Sequence, residues 1–167
     1  MDVAPESMND VTPTRQFSTT EFASFALQNQ FELLTSSPQV SWQMSYRLIE
    51  PIGSGGQGIV YLADRINPHD LSFRLALKFY RPDVYPDADA YRHDMARIAC
   101  VAMSMARLQQ DNLLDVFNVV DSGGIQVEPM EWVDGIDLAH LLRPGVLAQV
   151  REQVNDHDWN HVNDVVV

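Results

Sequence analysis

Apolar and polar residues alternate from Tyr46 onward, and this alternation predicts a first strand over 46–52. Pro51 inside this run suits an edge strand, because proline has no N–H to give to a neighbouring strand. The glycine-rich stretch Gly53–Gly58 follows, and then the strand-like run Ile59–Ala63. We therefore expect a hairpin with a glycine-rich tip.

A third strand is predicted over Phe73–Phe79, after a turn at Asn67-Pro68. Its period of two places Leu75, Leu77 and Phe79 on one face. Ala76 and Lys78 are predicted to lie on the other face.

Helical spacing replaces the alternation between Pro86 and Gln110. This helix is expected to carry one apolar stripe, made of Ile98, Val101, Met105 and Leu108. A second hairpin is predicted over 113–133, with its turn at Asp121–Gly124, and a short helix over 138–142. The order of elements indicates an α+β fold.

The two ends of the chain differ from this central part. Residues 1–41 are rich in Ser, Thr, Pro and Gln, and we predict a largely disordered leader with one or two amphipathic helical turns around Phe22–Leu34. Residues 143–167 end in an apolar stripe of Trp159, Val162 and Val165–Val167. Such a stripe usually needs a partner surface, which makes self-association an expectation.

Composition narrows the class of protein. The net charge of −12 argues against nonspecific binding to nucleic acid or to an anionic membrane surface. The single cysteine, Cys100, excludes an internal disulfide and favours a reducing compartment. With no signal-peptide pattern and no apolar run of about 20 residues, a cytoplasmic location is the default expectation. Lys78 is the single lysine beside ten arginines.

Three short motifs occur along the chain: Gly53-x-Gly55-x-x-Gly58, then Ala76-Leu-Lys78, then the run Met130–Gly135. A glycine motif alone is weak, and its main rival, the dinucleotide-binding fingerprint, requires a helix directly after the glycines. A β-branched, strand-like run follows here instead.

In this order and spacing, residues 42–142 resemble the amino-terminal lobe and hinge of the bacterial serine/threonine protein kinases of eukaryotic type. The resemblance implies a five-stranded antiparallel sheet with one long helix and a partial hinge segment. It also implies ATP as ligand and a protein substrate or a carboxy-terminal lobe as partner.

The resemblance assigns roles to individual residues. Backbone N–H groups of Gly53, Gly55, Gly56 and Gly58 would approach the phosphates, and Lys78 would supply the cation for them. Ile52, Val60 and Ala76 would form the apolar roof over adenine, with Met130 as gatekeeper. The backbone of Glu131 and Val133 would bind the adenine edge, and Asp137 would meet the ribose.

The chain also departs from the kinase pattern. There is no glutamate between Lys78 and Val127 to pair with the lysine, and Asp94 is the candidate replacement. The triplet Arg92–Asp94 lies inside the predicted helix and is not the catalytic loop. Since the sequence shows neither that loop nor the metal-binding motif after it, we assign no catalytic residue and no metal ligand. We expect no phosphoryl transfer by the chain alone, and magnesium only where a carboxy-terminal lobe is present.

Three interpretations therefore stay open. The chain is a fragment of a serine/threonine kinase, a stand-alone kinase-like lobe that binds nucleotide or nothing and docks a partner, or an inactive interaction module that keeps only the scaffold.

Overall fold

The fold is built on one antiparallel sheet. The computed structural model describes residues 18–66, 73–105, 108, 110, 112–135, 137–143 and 145–149. Its strands are β1 (Gln39–Ser41), β2 (Ser45–Gly55), β3 (Gly58–Ile66), β4 (Phe73–Tyr80), β5 (Val120–Ser122) and β6 (Ile125–Met130). They lie in the order β1-β2-β3-β4-β6-β5. The predicted fold class is confirmed, but the described sheet has six strands where the sequence predicted five.

The sixth strand is β1, which lies inside the predicted leader. Val40 is 4% exposed and is paired with Tyr46 of β2. Burial of this side chain, together with pairing to β2 at three positions, places a three-residue strand at the sheet edge. As a result, β2 has a described partner on its outer side only up to Arg47. Pro51 lies beyond that point, where it is paired with Tyr61 of β3 and lies beside a register shift.

The glycine-rich hairpin forms as predicted. β2 ends at Gly55, β3 begins at Gly58, and the two residues are paired across a turn of Gly56 and Gln57. A strand rather than a helix follows the glycines, which rules out the dinucleotide-binding alternative.

The predicted leader contains a long helix, so the expectation of disorder is wrong for its described part. Helix α1 spans Thr19–Ser36, and Ser18 caps it: its side chain accepts from the Glu21 amide while the Glu21 carboxylate accepts from the Ser18 amide. These bonds lower the pKa of the Glu21 carboxyl below its usual value. The Ser-x-x-Glu signature of a capped helix was present in the sequence and marks this start.

Helix α1 packs on the sheet through three buried side chains, Leu27, Phe31 and Leu34. They join the main core with Leu75, Leu77 and Phe79 of β4, so α1 covers the apolar face of the sheet. Two hydrogen bonds fix the helix in place. Tyr61 Oη donates to the carbonyl of Thr35 at 3.0 Å, and Gln30 Nε2 donates to the carbonyl of Ser122 at 3.3 Å.

Helix α2 spans Ala88–Met105 and is shorter than the predicted segment, since Leu108 and Gln110 lie outside it. Its buried face is formed by Ala88, Tyr91, Met95 and Ala102. Of the predicted stripe, Ile98 continues this face at helical spacing and is half-buried against the core. Val101 and Met105 are 59% and 39% exposed, and Leu108 lies beyond the end of the helix.

The second hairpin, β5–β6, is confirmed, but its first strand is Val120–Ser122 and not the predicted run 113–120. Its turn contains Gly123 and Gly124, with φ of 64° and 90°. A short helix, α3, spans Leu138–Leu141. The predicted turn at Asn67-Pro68 and the apolar stripe of 159–167 lie outside the described residues. Within the described residues, no helix combines the length and apolar character needed to cross a bilayer.

Candidate functional site

The two faces of the sheet are set by strand register. Lys78 of β4 is opposite Val60 of β3 and Glu128 of β6, while Ala76 is opposite Met130. Residues directly opposite each other share a face, and so do residues two apart on one strand. All five side chains therefore belong to one face, which we call the lysine face. The other face carries the core beneath α1.

The four glycines of the hairpin meet different surroundings. A Cβ at Gly58 would lie 2.2 Å from the carbonyl oxygen of Phe79, so the close pairing of β3 with β4 requires glycine there. At Gly55 and Gly56, no described atom lies within 4 Å of the Cβ position, and at Gly53 the nearest contact is an ordinary 3.8 Å to Val60. Packing thus explains Gly58 and leaves open space beside the turn.

The Lys78 ammonium reaches that open turn. Its Nζ donates to Gln57 Oε1 at 3.3 Å and lies 4.6 Å from the centroid of the Tyr80 ring. A cation over an aromatic face is attracted by the ring quadrupole. The structure therefore brings the predicted lysine to the predicted glycine turn, which are 21 positions apart in the sequence.

The predicted roof residues differ in exposure. Ala76 is 4% exposed and Met130 is half-buried, both on the lysine face. Ile52 lies in the register shift between Pro51 and Gly53 and is 46% exposed.

The segment after β6 contains the predicted hinge. The Glu131 amide donates to the carbonyl of Asp115 at 2.8 Å, and Val133 is half-buried. Asp137 is the N-cap of α3, where its carboxylate accepts from the His140 amide. This bond is a sufficient structural reason for an aspartate at this position.

Asp94 does not meet Lys78. Its carboxylate accepts from Tyr85 Oη at 2.8 Å and pairs with Arg97 at 3.1 Å. Burial, with the hydrogen bond to Asp94, raises the pKa of Tyr85 to about 12. The carboxylate that does lie on the lysine face is Glu128.

Sequence reasoning missed Glu128. This residue is 7% exposed, and its Oε2 accepts from Tyr80 Oη at 2.7 Å. Burial, and then the bond to Glu128, raises the pKa of Tyr80 well above its usual value. An acidic residue in the otherwise apolar run Ile125–Met130 was the signal, because strands rarely bury a carboxylate without a partner.

A groove separates α2 from the lysine face. It is lined by Tyr80, Asp94, Arg97, Ile98, Val101, Ala102, Met105, Val116 and Glu128, with a volume of about 270 Å³. This arrangement of an antiparallel sheet, a glycine-tipped hairpin, a strand lysine and one long helix beside it is consistent with the small lobe of a protein kinase.

Comparison with known proteins agrees with this class. The chain is 36% identical over 100 residues to the serine/threonine-protein kinase PknD of Chlamydia muridarum, covering 59% of the chain and 10% of that protein. It is 27% identical over 100 residues to the serine/threonine-protein kinase pkn2 of Myxococcus xanthus, covering 60% of the chain and 11% of that protein. The resemblance to bacterial serine/threonine kinases, over part of the amino-terminal lobe, is confirmed.

Among solved structures, the chain is similar to the kinase domain of Mycobacterium tuberculosis PknI, with 30% identity and a TM-score of 0.44, covering 60% of the chain and 38% of that domain. No protein-family model matches the chain. The chain spans about a tenth of the length of the curated relatives it matches.

Proposed function

We propose that this chain is the ATP-binding amino-terminal lobe of a serine/threonine protein kinase, with the phosphates held by the glycine turn and Lys78. The observation that carries the proposal is the position of the Lys78 ammonium, 3.3 Å from Gln57 at the tip of the hairpin. A Cβ at Gly55 or Gly56 would meet no described atom within 4 Å, so the backbone N–H groups of these glycines would be open to a phosphate beside the one cation.

The adenine end of the proposed site follows from the same face. Val60, Ala76 and Met130 would contact the base, with Ile52 closing over its edge. The Glu131 amide is already bonded, so the proposal uses the Glu131 carbonyl and the Val133 backbone for the adenine edge. Asp137 would contact the ribose in addition to capping α3.

A titration with ATP tests this proposal, with Lys78→Met as the variant. Without a carboxy-terminal lobe little of the ligand would be buried, so we expect a Kd of about 0.1–1 mM. Lys78→Met should weaken binding at least tenfold, because an ammonium–phosphate pair is worth up to roughly 4 kcal/mol at an effective dielectric of 20.

Arg47→Met provides the matched control. It removes a cation from β2 at the end of the hairpin away from the turn, where Arg47 is opposite Asp64. We expect its affinity for ATP to equal that of the wild type. If both variants lost the same amount of affinity for ATP, the loss would reflect the net charge of the chain and not a specific site. If Lys78→Met left the affinity unchanged, the proposed site would be contradicted.

The rest of the kinase reaction would need groups beyond this lobe. We propose that Mg²⁺ and a protein substrate are bound together with a carboxy-terminal lobe, which supplies the base and the metal ligands. The chain alone is proposed to be inactive in phosphoryl transfer.

One observation favours the alternative, a kinase-like interaction module. Val101, Met103 and Met105, near the end of α2, are 59%, 58% and 39% exposed. Val101 and Met105 lie one turn apart on the same side of the helix, and exposed apolar side chains in this arrangement suit contact with a partner or a second copy of the chain. An ATP titration with no Lys78-dependent binding would favour this alternative.

A further inference from the structure

The lysine of the proposed ATP site has no carboxylate partner on α2. The two acidic residues of this helix are both held by neighbours on its surface: Asp89 pairs with Arg92, and Asp94 with Arg97 and Tyr85. A strand lysine without a fixed counterion is a flexible side chain with many rotamers. At the turn the ammonium bonds the exposed Gln57 side chain, and from within the lobe it is contacted by the Tyr80 ring.

Glu128 is placed to stabilise this contact. It is the cross-strand neighbour of Lys78 on the lysine face and is 7% exposed. A carboxylate this deeply buried needs a hydrogen bond or a cation beside it. Tyr80 supplies the hydrogen bond, at 2.7 Å.

Tyr80 also connects Glu128 to the lysine. Its hydroxyl binds the carboxylate, while its ring face lies 4.6 Å from Lys78 Nζ. Hydrogen bonding to a carboxylate draws the phenol proton outward and makes the ring richer in electrons, which strengthens its attraction for a cation. No direct ion pair joins Lys78 to Glu128 among the described residues, so the contact runs through the ring.

The other charged groups of the groove do not replace this arrangement. Asp94 and Arg97 line the same groove but pair with each other, and the Arg97 side chain is 73% exposed. Glu128 is therefore the buried carboxylate on the lysine face, and the one lysine of the chain lies on that same face.

We propose that Glu128, acting through Tyr80, is the positioning residue for Lys78 and takes the place of a helix carboxylate. The proposal rests on the proposed ATP site, and it moves the acidic partner of the lysine from α2 to β6. Glu128 fixes the ammonium over the ring, so that it faces the glycine turn before nucleotide arrives.

Glu128→Gln tests this proposal in the full chain, because glutamine keeps the shape and an acceptor for Tyr80 while removing the charge. We expect its affinity for ATP to fall about tenfold. Asp94→Asn is the matched control, since it neutralises an acidic residue of the same groove, and its affinity should stay within about twofold of the wild type.

A double-mutant cycle separates positioning from general damage to the fold. If Glu128 acts through Lys78, the double variant Glu128→Gln, Lys78→Met binds ATP no more weakly than Lys78→Met alone. Additive losses would overturn the proposal, and so would a loss in Asp94→Asn as large as that in Glu128→Gln.

A readout without nucleotide keeps this test independent of the proposed function. Because the chain has one lysine, labelling with ¹³C-lysine gives one Cε cross-peak, shifted upfield by the Tyr80 ring. We expect this peak to move towards its random-coil position in Glu128→Gln and to stay in Asp94→Asn. A moved peak without ATP binding would refute the ATP site and keep the positioning role, while an unmoved peak would overturn the positioning role.

Tyr80→Phe serves as the second variant where Glu128→Gln does not fold. It keeps the ring and removes the hydroxyl, so the cross-peak should move in the same direction by a smaller amount. A cross-peak unchanged in Tyr80→Phe would overturn the connection through the phenol.

Discussion

The two faces of the same sheet are used differently. On the face beneath α1, Leu77 and Phe79 are fully buried and contribute to the core. On the lysine face, Lys78 lies between them in sequence and remains half-exposed beside an open turn. In β4, Leu77 and Phe79 thus contribute to stability, while Lys78 between them is available for the proposed ligand. Variants on the two faces should therefore separate folding from binding.

The largest expected effect concerns the face beneath α1. Phe31→Ala should lower the free energy of unfolding by about 3–5 kcal/mol, because Phe31 is 6% exposed and its loss leaves a cavity against the core. Phe25→Ala, on the exposed side of the same helix at 63% exposure, should change it by no more than about 0.5 kcal/mol. Urea denaturation measures both. If both variants lost the same small amount of unfolding free energy, the packing of α1 would not stabilise this face of the sheet.

The next effect concerns Tyr91, which joins α2 to the backbone of β4 and β6. Its hydroxyl donates to the Tyr80 carbonyl at 3.2 Å and accepts from the Gln126 amide at 3.0 Å. Burial raises the pKa of Tyr91 from 10.0 to about 12. The unfolded chain therefore loses this proton at lower pH than the folded chain.

Stability from Tyr91 is thus complete below pH 10 and is lost as the pH rises towards 12, by about 2–3 kcal/mol. Urea denaturation between pH 8 and 12 should show this decline. Tyr91→Phe, which cannot ionise, should make the decline shallower, although Tyr85 adds its own loss over the same range. An unchanged slope in Tyr91→Phe would contradict the assignment.

The smallest expected effect distinguishes two glycines of the hairpin, Gly58 and Gly56. Gly58→Ala should cost about 1–3 kcal/mol, since its Cβ would meet the Phe79 carbonyl. Gly56→Ala meets open space and should leave stability unchanged, yet weaken ATP binding by narrowing the approach to the backbone. The same denaturation and titration measurements apply. If Gly56→Ala lost as much stability as Gly58→Ala, both glycines would be required for folding, and the proposed role of Gly56 in ATP binding would lose its support.

The sequence predicted the lysine face well because local patterns determine it. Alternation placed Ala76 and Lys78 on one face, and the glycines marked the hairpin that Lys78 approaches. The strands between 46 and 79 are neighbours in sequence and in space, so period and turn chemistry suffice to order them.

The contacts that sequence reasoning missed depend on distant parts of the chain. Glu128 meets Tyr80 from 48 positions away, and the helix that contains Gln30 meets Ser122 from 92 positions away. A polar, Ser-rich composition hid α1, although its capping signature at Ser18 and Glu21 was readable. Its docking depends on tertiary burial of one helix face, which composition does not show.

The attachment of α1 to Ser122 has a consequence for the order of folding. α1 is synthesised before β5, so the bond from Gln30 to Ser122 can form only after 92 further residues have been made. Loop closure over that length is slow compared with hairpin formation, so the β2–β3 hairpin can form while α1 is still undocked. During synthesis Leu27, Phe31 and Leu34 can be covered once β4 has been made, and the bond to Ser122 follows when β5 emerges.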